Sequence, residues 1–221
     1  MTIDSTSSVR CVLIGAGGHA SVLLDALAAS NATLAGVLES DRAMWGTTWN
    51  GVTVLGGDDE LDSLTGKGIT HFVIGVGAIG DNRLRAQLFE QAVAARLAPL
   101  TVVHPASVVS PQASIGPGCQ MLPGAIVNAG AHLGSNVIVN SGAIVEHDCR
   151  IADHVHIATG ACLASTVTVG RGAHIGAGAV VLQCRTIGEE AVIGAGAVVV
   201  GDVAAGVVVV GVPARPMEKR R

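Results

Sequence analysis

The stretch VNSGAIVEHDCRIADHVHIATGACL, residues 139–163, carries a large aliphatic residue at every sixth position: Val139, Val145, Ile151, Ile157 and Leu163. The column continues back through Leu133, Val127, Met121 and Ile115 to Val109, and on through Val169, Ile175, Val181, Ile187 and Ile193 to Val199. Four positions after most of these stands a small residue, as at Cys119, Ala125, Ala131, Ala143, Ala161, Ala173, Ala179, Ala191 and Ala197. A helix repeats every 3.6 residues and a half-buried strand every two, so neither produces a strict six with one large and one small apolar slot. A parallel β-helix does. Each hexad supplies a short strand and a corner, and its aliphatic side chain stacks inward on its equivalent in the next coil, about 4.8 Å away. The small residue fits where the chain turns and the interior narrows. Arg185 occupies a slot that should be small, which predicts a loop or a distorted corner there.

Composition agrees with a thin-walled, regular architecture. The 221 residues include 30 glycines but only two tryptophans, two phenylalanines and no tyrosine, too few large side chains for a densely packed conventional core. A formal charge of −4 gives no basic footprint for nucleic acid. Met1 to Arg10 lacks the pattern of a signal peptide, and no apolar run approaches the roughly 18 residues that span a bilayer, so a soluble cytoplasmic protein is expected. The five cysteines, Cys11, Cys119, Cys149, Cys162 and Cys184, are odd in number and show no CxxC spacing, so neither a disulfide framework nor a zinc site is indicated.

The first hundred residues follow different rules. Arg10 to Ile14 reads as a buried strand, Gly15-Ala16-Gly17-Gly18-His19-Ala20 as a glycine turn, and Ser21 to Ala29 as an apolar helix. A strand, glycine turn and helix present free backbone N–H groups and a positive helix end to a phosphate. The run also satisfies the dinucleotide fingerprint GxGxx(G/A), and Glu39 lies about twenty residues on, after a second strand, Leu34 to Leu38. An NAD-dependent enzyme is therefore one reading. Against it, only one further strand, His71 to Gly75, and one helix, Leu84 to Ala95, precede the hexads. That space suits one nucleotide better than two.

GAGGHA at 15–20, the Gly80-Asp81-Asn82-Arg83 turn, His104-Pro105 at the junction and the hexads that follow together resemble the family of sialic-acid O-acetyltransferases and nucleotide-sugar N-acetyltransferases, over nearly the whole chain. The hexad array resembles the left-handed β-helix of hexapeptide-repeat acyltransferases, in which three hexads close one triangular coil. The resemblance implies a Rossmann-like α/β half domain over 1–102, an all-β left-handed parallel β-helix over 103–211, and a C-terminal tail over 212–221. The left hand comes from the resemblance, since the general rule for parallel crossovers favours the right. The resemblance also implies a homotrimer with active sites between subunits and acetyl-CoA as co-substrate. It assigns nucleotide-sugar contacts to Gly17, Gly18, His19, Glu39, Ser40 and Gly80, and acetyl-CoA contacts to His156 and to the backbone near Ala177 and Ala195. Arg215 and Lys219-Arg220-Arg221 could meet CoA phosphates, although a solvated basic terminus is the simpler reading.

Acetyl transfer from a thioester to an amine needs a base for the amine proton and stabilisation of the developing oxyanion. Neutral imidazole suits the first task near pH 7. Of the eight histidines, His147 stands out by register: in Val145-Glu146-His147-Asp148-Cys149-Arg150 the inward slots belong to Val145 and Cys149, leaving His147 and Asp148 outside. The match of Val-Glu-His-Asp-Cys to the family's catalytic segment implies that His147 is the general base and Asp148 its orienting partner, as an acid orients the histidine of a catalytic triad. The implied reaction is direct attack by the amine of a GDP-perosamine or UDP-4-amino sugar, without a metal or an acetyl-enzyme. Other readings are a sialic-acid-type O-acetyltransferase, a zinc hydratase on the same prism and a non-catalytic sugar-nucleotide binder. His174 falls one coil after His156, where stacking of exposed rings is expected, and His71, His132 and His154 read as structural or solvated.

Overall fold

The structure is a computed structural model that describes residues 9–217; the Lys219-Arg220-Arg221 tail lies outside the described residues. The chain forms two compact units. One runs to Gly77 and resumes at Leu88–Val102; the other is Ala78–Gln87 together with the chain from Val103 onward.

The first unit contains β1 (Val9–Ile14), α1 (Gly18–Ala28), β2 (Ala32–Leu38), β3 (Thr48–Trp49), β4 (Val52–Gly56), the single turn α2 (Leu61–Leu64), β5 (His71–Ile74), most of α3 (Arg83–Ala94) and β6 (Ala98–Pro99). Its sheet has the order β3-β4-β2-β1-β5-β6, parallel throughout except where β3 meets β4. Cys11 to Ile14 of β1 are all buried, the continuous apolar run that a central parallel strand requires. Val12, Ile14, Leu38, Ile74, Leu88 and Ala92 share the core with Phe72 and Phe89, whose rings meet edge to face at 5.4 Å. Helix α1 begins at Gly18, three residues before the expected Ser21, because the extended Gly17 serves as its N-cap. The β3–β4 hairpin was not anticipated. It turns on Asn50-Gly51, both at positive φ, and Asn-Gly is the turn whose twist fits a two-residue hairpin.

In the second unit every hexad yields a two-residue strand, and strands eighteen residues apart pair in parallel, as Ile138–Val139 does with His156–Ile157. Three such stacks form a triangular prism. The second residue of each strand is the aliphatic column of the sequence; from Met121 to Val199 these side chains, with the small corner residues, form one continuous core. The three outer faces differ in chemistry. Face 1 presents Gln120, Ile138, His156 and His174, all buried, and the segment Ala78–Gln87 crosses it with hydrogen bonds to Asn136, His156, Gly172 and Ala173. Face 2 presents Val108, Ile126, Ile144, Cys162, Val180 and Val198, an apolar column in which Val108 is exposed and the others are half-buried. Face 3 presents Ser114, His132, Arg150, Thr168 and Thr186, all exposed. The corner at Arg185 is regular, contrary to the expected distortion. Its carbonyl still accepts from Thr168 N–H at 2.9 Å and the following strand pairs normally, because the coil ladder uses only the backbone of that residue.

Because Ile157 is fully buried between Val139 and Ile175, Ile157→Ala is expected to cost about 2–5 kcal/mol in urea unfolding. Thr168→Ala, on the solvent face, should stay within about 0.5 kcal/mol.

Candidate active site

In the first unit β1 lies between β2 and β5, so the connections leave it in opposite directions and open a crevice at the carboxyl ends of the strands. Gly15 to Gly18 stand at that point. Gly15 has φ +102, and a Cβ there would strike Val76 Cγ2, so the close approach of turn and strand requires glycine. Gly17 and Gly18 are exposed, with nothing within 4 Å of where a Cβ would be, leaving their backbone open to a ligand. Glu39 reaches back into this turn: its Oε2 accepts from Ala16 N–H at 2.9 Å, and its Oε1 accepts from the Ser40 hydroxyl at 2.9 Å and Asp41 N–H at 3.2 Å. Partial burial alone would raise its pKa, but these hydrogen bonds outweigh it and hold the carboxyl below the usual range. Glu39 is thus a brace of the glycine turn as well as a neighbour of the crevice. His19 follows in the first turn of α1 with its Cβ against Gly77.

On the prism, His147 and Asp148 occupy the corner between faces 2 and 3, with 56% and 63% of their side chains exposed. His147 Nδ1 donates to Asp148 Oδ2 at 2.9 Å, which leaves Nε2 as the proton acceptor. Sequence reasoning overlooked what holds this corner. Glu146 Oε2 accepts from Asn128 Nδ2, 3.0 Å away and one coil earlier, and from His147 N–H at 3.3 Å. The eighteen-residue spacing of Asn128 and Glu146 was the available signal.

His174 is buried, not exposed as expected, and His156 is buried with it, because Ala78–Gln87 crosses face 1 above them. Their rings meet edge to face with centroids 5.0 Å apart. His156 Nδ1 donates to Ala78 O at 3.0 Å and Nε2 accepts from Asn140 Nδ2 at 3.1 Å; Asn140 Oδ1 in turn accepts from Ser141 N–H, which fixes the amide orientation. Both ring nitrogens of His156 are therefore engaged within the unit. The crossing segment is pinned by Asn82, whose Nδ2 donates to Gly172 O and Ala173 O at 3.0 and 3.1 Å. Fully buried Arg85 also pins it, its Nη2 donating to Asn136 O and Oδ1 at 3.0 and 2.9 Å. Burial lowers the Arg85 pKa to about 10, so the side chain stays charged at neutral pH. Gly80 belongs to this segment and faces Val192. Ala177 and Ala195 are exposed on the corner between faces 1 and 2, one coil apart, beside Gly178 and Gly196. That ridge carries no side chain larger than methyl across these two coils, which lets an extended ligand lie close to the backbone.

Residues 10–92 match the model of the PglD N-terminal domain. PerB from Caulobacter crescentus, solved in complex with CoA and GDP-perosamine, is 37% identical, with 97% of this chain and 99% of that one covered and a TM-score of 0.88. The chain belongs to the sugar N-acetyltransferase family of hexapeptide-repeat proteins. The prism of this family member is accordingly the left-handed β-helix. The same perosamine N-acetyltransferase has been solved with one histidine replaced by Asn or by Ala, each time with CoA and GDP-perosamine bound. The acetyltransferase domain of PglB from Neisseria gonorrhoeae FA1090, in complex with acetyl coenzyme A, is 37% identical over 96% of this chain and 100% of that one, with a TM-score of 0.85. WeeI from Acinetobacter baumannii AYE is 28% identical over 96% and 100%, with a TM-score of 0.79. No curated protein sequence matches.

Burial first, and the positive charge of Arg85 second, hold the His174 pKa below its ordinary value, and His71 is lowered by burial as well. The unfolded chain takes up a proton near pH 6.5 where the folded protein does not, so stability falls as pH drops through about 6.5 toward the folded pKa. His174→Gln should flatten the loss of urea midpoint between pH 7.5 and 5.5, with His71 supplying the remaining slope.

Proposed function

We propose that this protein transfers the acetyl group of acetyl-CoA to the amine of a nucleotide-linked 4-amino-deoxy sugar, with GDP-perosamine the best-supported acceptor and a UDP-4-amino sugar the next. One observation carries the reading: an exposed His147 held by Asp148 on a coil corner, in a chain similar throughout its length to an enzyme solved with CoA and GDP-perosamine. In the step this geometry supports, the sugar amine attacks the thioester carbonyl and its proton passes to His147 Nε2. The C–S bond breaks as the C–N bond is complete, and CoA leaves as the thiolate, which takes up the proton released by the His147 imidazolium and so restores the neutral base. Asp148 accepts from Nδ1–H throughout, fixing the tautomer and stabilising the imidazolium. No nucleophile beyond the amine is called for, and Cys149 is buried with its thiol pKa raised by burial.

For the nucleotide sugar we assign Gly17, Gly18, His19, Glu39 and Ser40, with Gly80 added from the crossing segment. Open backbone N–H groups at the start of α1 suit a diphosphate. For acetyl-CoA we assign the Ala177–Ala195 ridge, with His156 behind it. His156 would contact the thioester through Asn140, whose amide it already orients. The five cysteines are free, which fits the reducing cytoplasm.

The assembly we assign is a homotrimer joined through face 2. Its column of Ile126, Ile144, Val180 and Val198 is the apolar outer surface of the prism. His147 and the Ala177–Ala195 ridge stand on opposite edges of that face, so a site needing both draws on two copies. Ile144→Glu should convert the oligomer to monomers in sedimentation velocity and abolish turnover while the chain stays folded by circular dichroism; an unchanged sedimentation coefficient would place the interface elsewhere.

The reaction is tested by mixing the protein and acetyl-CoA with GDP-, UDP- and CMP-linked amino and hydroxy sugars and reading the gain of one acetyl group by mass spectrometry. His147→Asn should lower kcat by about 10²–10⁴ with little change in KM. Acetylation of hydroxy sugars alone would make the protein an O-acetyltransferase.

A further inference from the structure

The corner that carries Asp148 repeats every eighteen residues, and the equivalent positions are Gly130, Asp148, Thr166 and Cys184. All four have positive φ, at +72°, +61°, +61° and +57°. Successive coils are tied there by Asp148 N–H donating to Ala129 O at 3.1 Å and Thr166 N–H donating to His147 O at 3.0 Å. Only the coil directly before Asp148 has glycine at this position. A Cβ built on Gly130 overlaps Asp148 Oδ1 and comes within 3.4 Å of its Cγ. The same construction at Gly142, Gly160, Gly178, Gly196 and Gly206, whose φ values are +66° to +69°, meets nothing within 4 Å. Gly130 therefore differs from glycines that merely supply a left-handed corner. The Asp148 carboxylate lies back across its bare Cα, and in that posture Oδ2 reaches His147 Nδ1.

We infer that Gly130 is a positioning residue: the missing side chain is the space that Asp148 needs in order to orient His147. The inference rests on the reading of His147 as base and Asp148 as its partner. To clear a methyl at Gly130 the carboxylate must turn about its broad χ2 or move to another χ1 well, and either motion takes Oδ2 off its line to the imidazole. His147 then keeps its place on the corner and loses the hydrogen bond that fixes its tautomer.

The test pairs Gly130→Ala with Gly206→Ala, which places the same methyl in the same left-handed backbone, in a corner away from the site, with nothing to strike. Gly130→Ala should lower kcat by about tenfold or more, leaving KM for both substrates within about twofold, and Gly206→Ala should leave both alone. A double-mutant cycle separates positioning from damage to the coil: in an Asp148→Ala background there is no carboxylate to displace, and adding Gly130→Ala should change kcat no further. An equal loss in that background, or an unchanged kcat in the single variant, overturns the inference. Nitrogen NMR of histidine-labelled protein reads the same point without turnover. The wild-type His147 signal should be that of the Nδ1–H tautomer, and Gly130→Ala should shift it toward a mixture; an identical signal overturns the inference. If the unsubstituted protein acetylates no nucleotide sugar, the functional reading fails, and the tautomer measurement still decides the role of Gly130.

Discussion

The residue eighteen positions on must sit directly above its predecessor, and most of what is distinctive here follows from that register. Backbone hydrogen bonds tie each corner and strand to the next coil, and the inward aliphatic residues match only in this alignment. A slip of one residue would turn Val145 or Ile157 outward and bring a charged or polar neighbour into a dry core. With the inside fixed, the outside is fixed as well. Outward side chains become columns about 4.8 Å apart, and a column can specialise as one surface. One is capped by the chain's own segment, one is apolar, and one is left to water. His147 and Asp148 gain their setting from the same rule, with Asn128 one coil away steadying Glu146 beside them.

The first unit solves a related problem with different means. The glycine turn at the end of β1 combines an open backbone with a fixed shape. Its openness comes from Gly17 and Gly18, and its rigidity from Glu39, whose carboxylate takes the Ala16 N–H. The family resemblance leads one to expect Glu39 as a contact to the nucleotide sugar. Here it also closes a hydrogen-bonded circuit between the ends of two neighbouring strands.

Much of the prism was legible because its rule is local. Six residues suffice to say which side chain is inside, and His147 and Asp148 were placed outward on that ground alone. The burial of the face 1 histidines was not legible for the opposite reason. Whether His156 and His174 are exposed depends on a segment about seventy to a hundred residues earlier, and no periodicity reports that Asn82 and Arg85 find partners at Gly172, Ala173 and Asn136. Arg185 failed in the other direction, since a sequence slot that looks steric is tolerated when the ladder asks only for backbone. The Asn50-Gly51 hairpin carried a plain local signal that went unread.

The segment that covers face 1 has an implication for how the molecule is made. Ala78 to Gln87 leaves the ribosome well before its seat exists, because Asn136, His156 and Ala173 must first be synthesised and wound into stacked coils. Stacked coils can grow one upon the next, each needing only its neighbour. The buried Arg85 cannot settle until the coil that carries Asn136 is in place, and until then its charge stays in water. Docking of this segment is thus a late, long-range closure laid over an otherwise sequential assembly, and it marks the point at which the histidines of face 1 pass from solvent to interior.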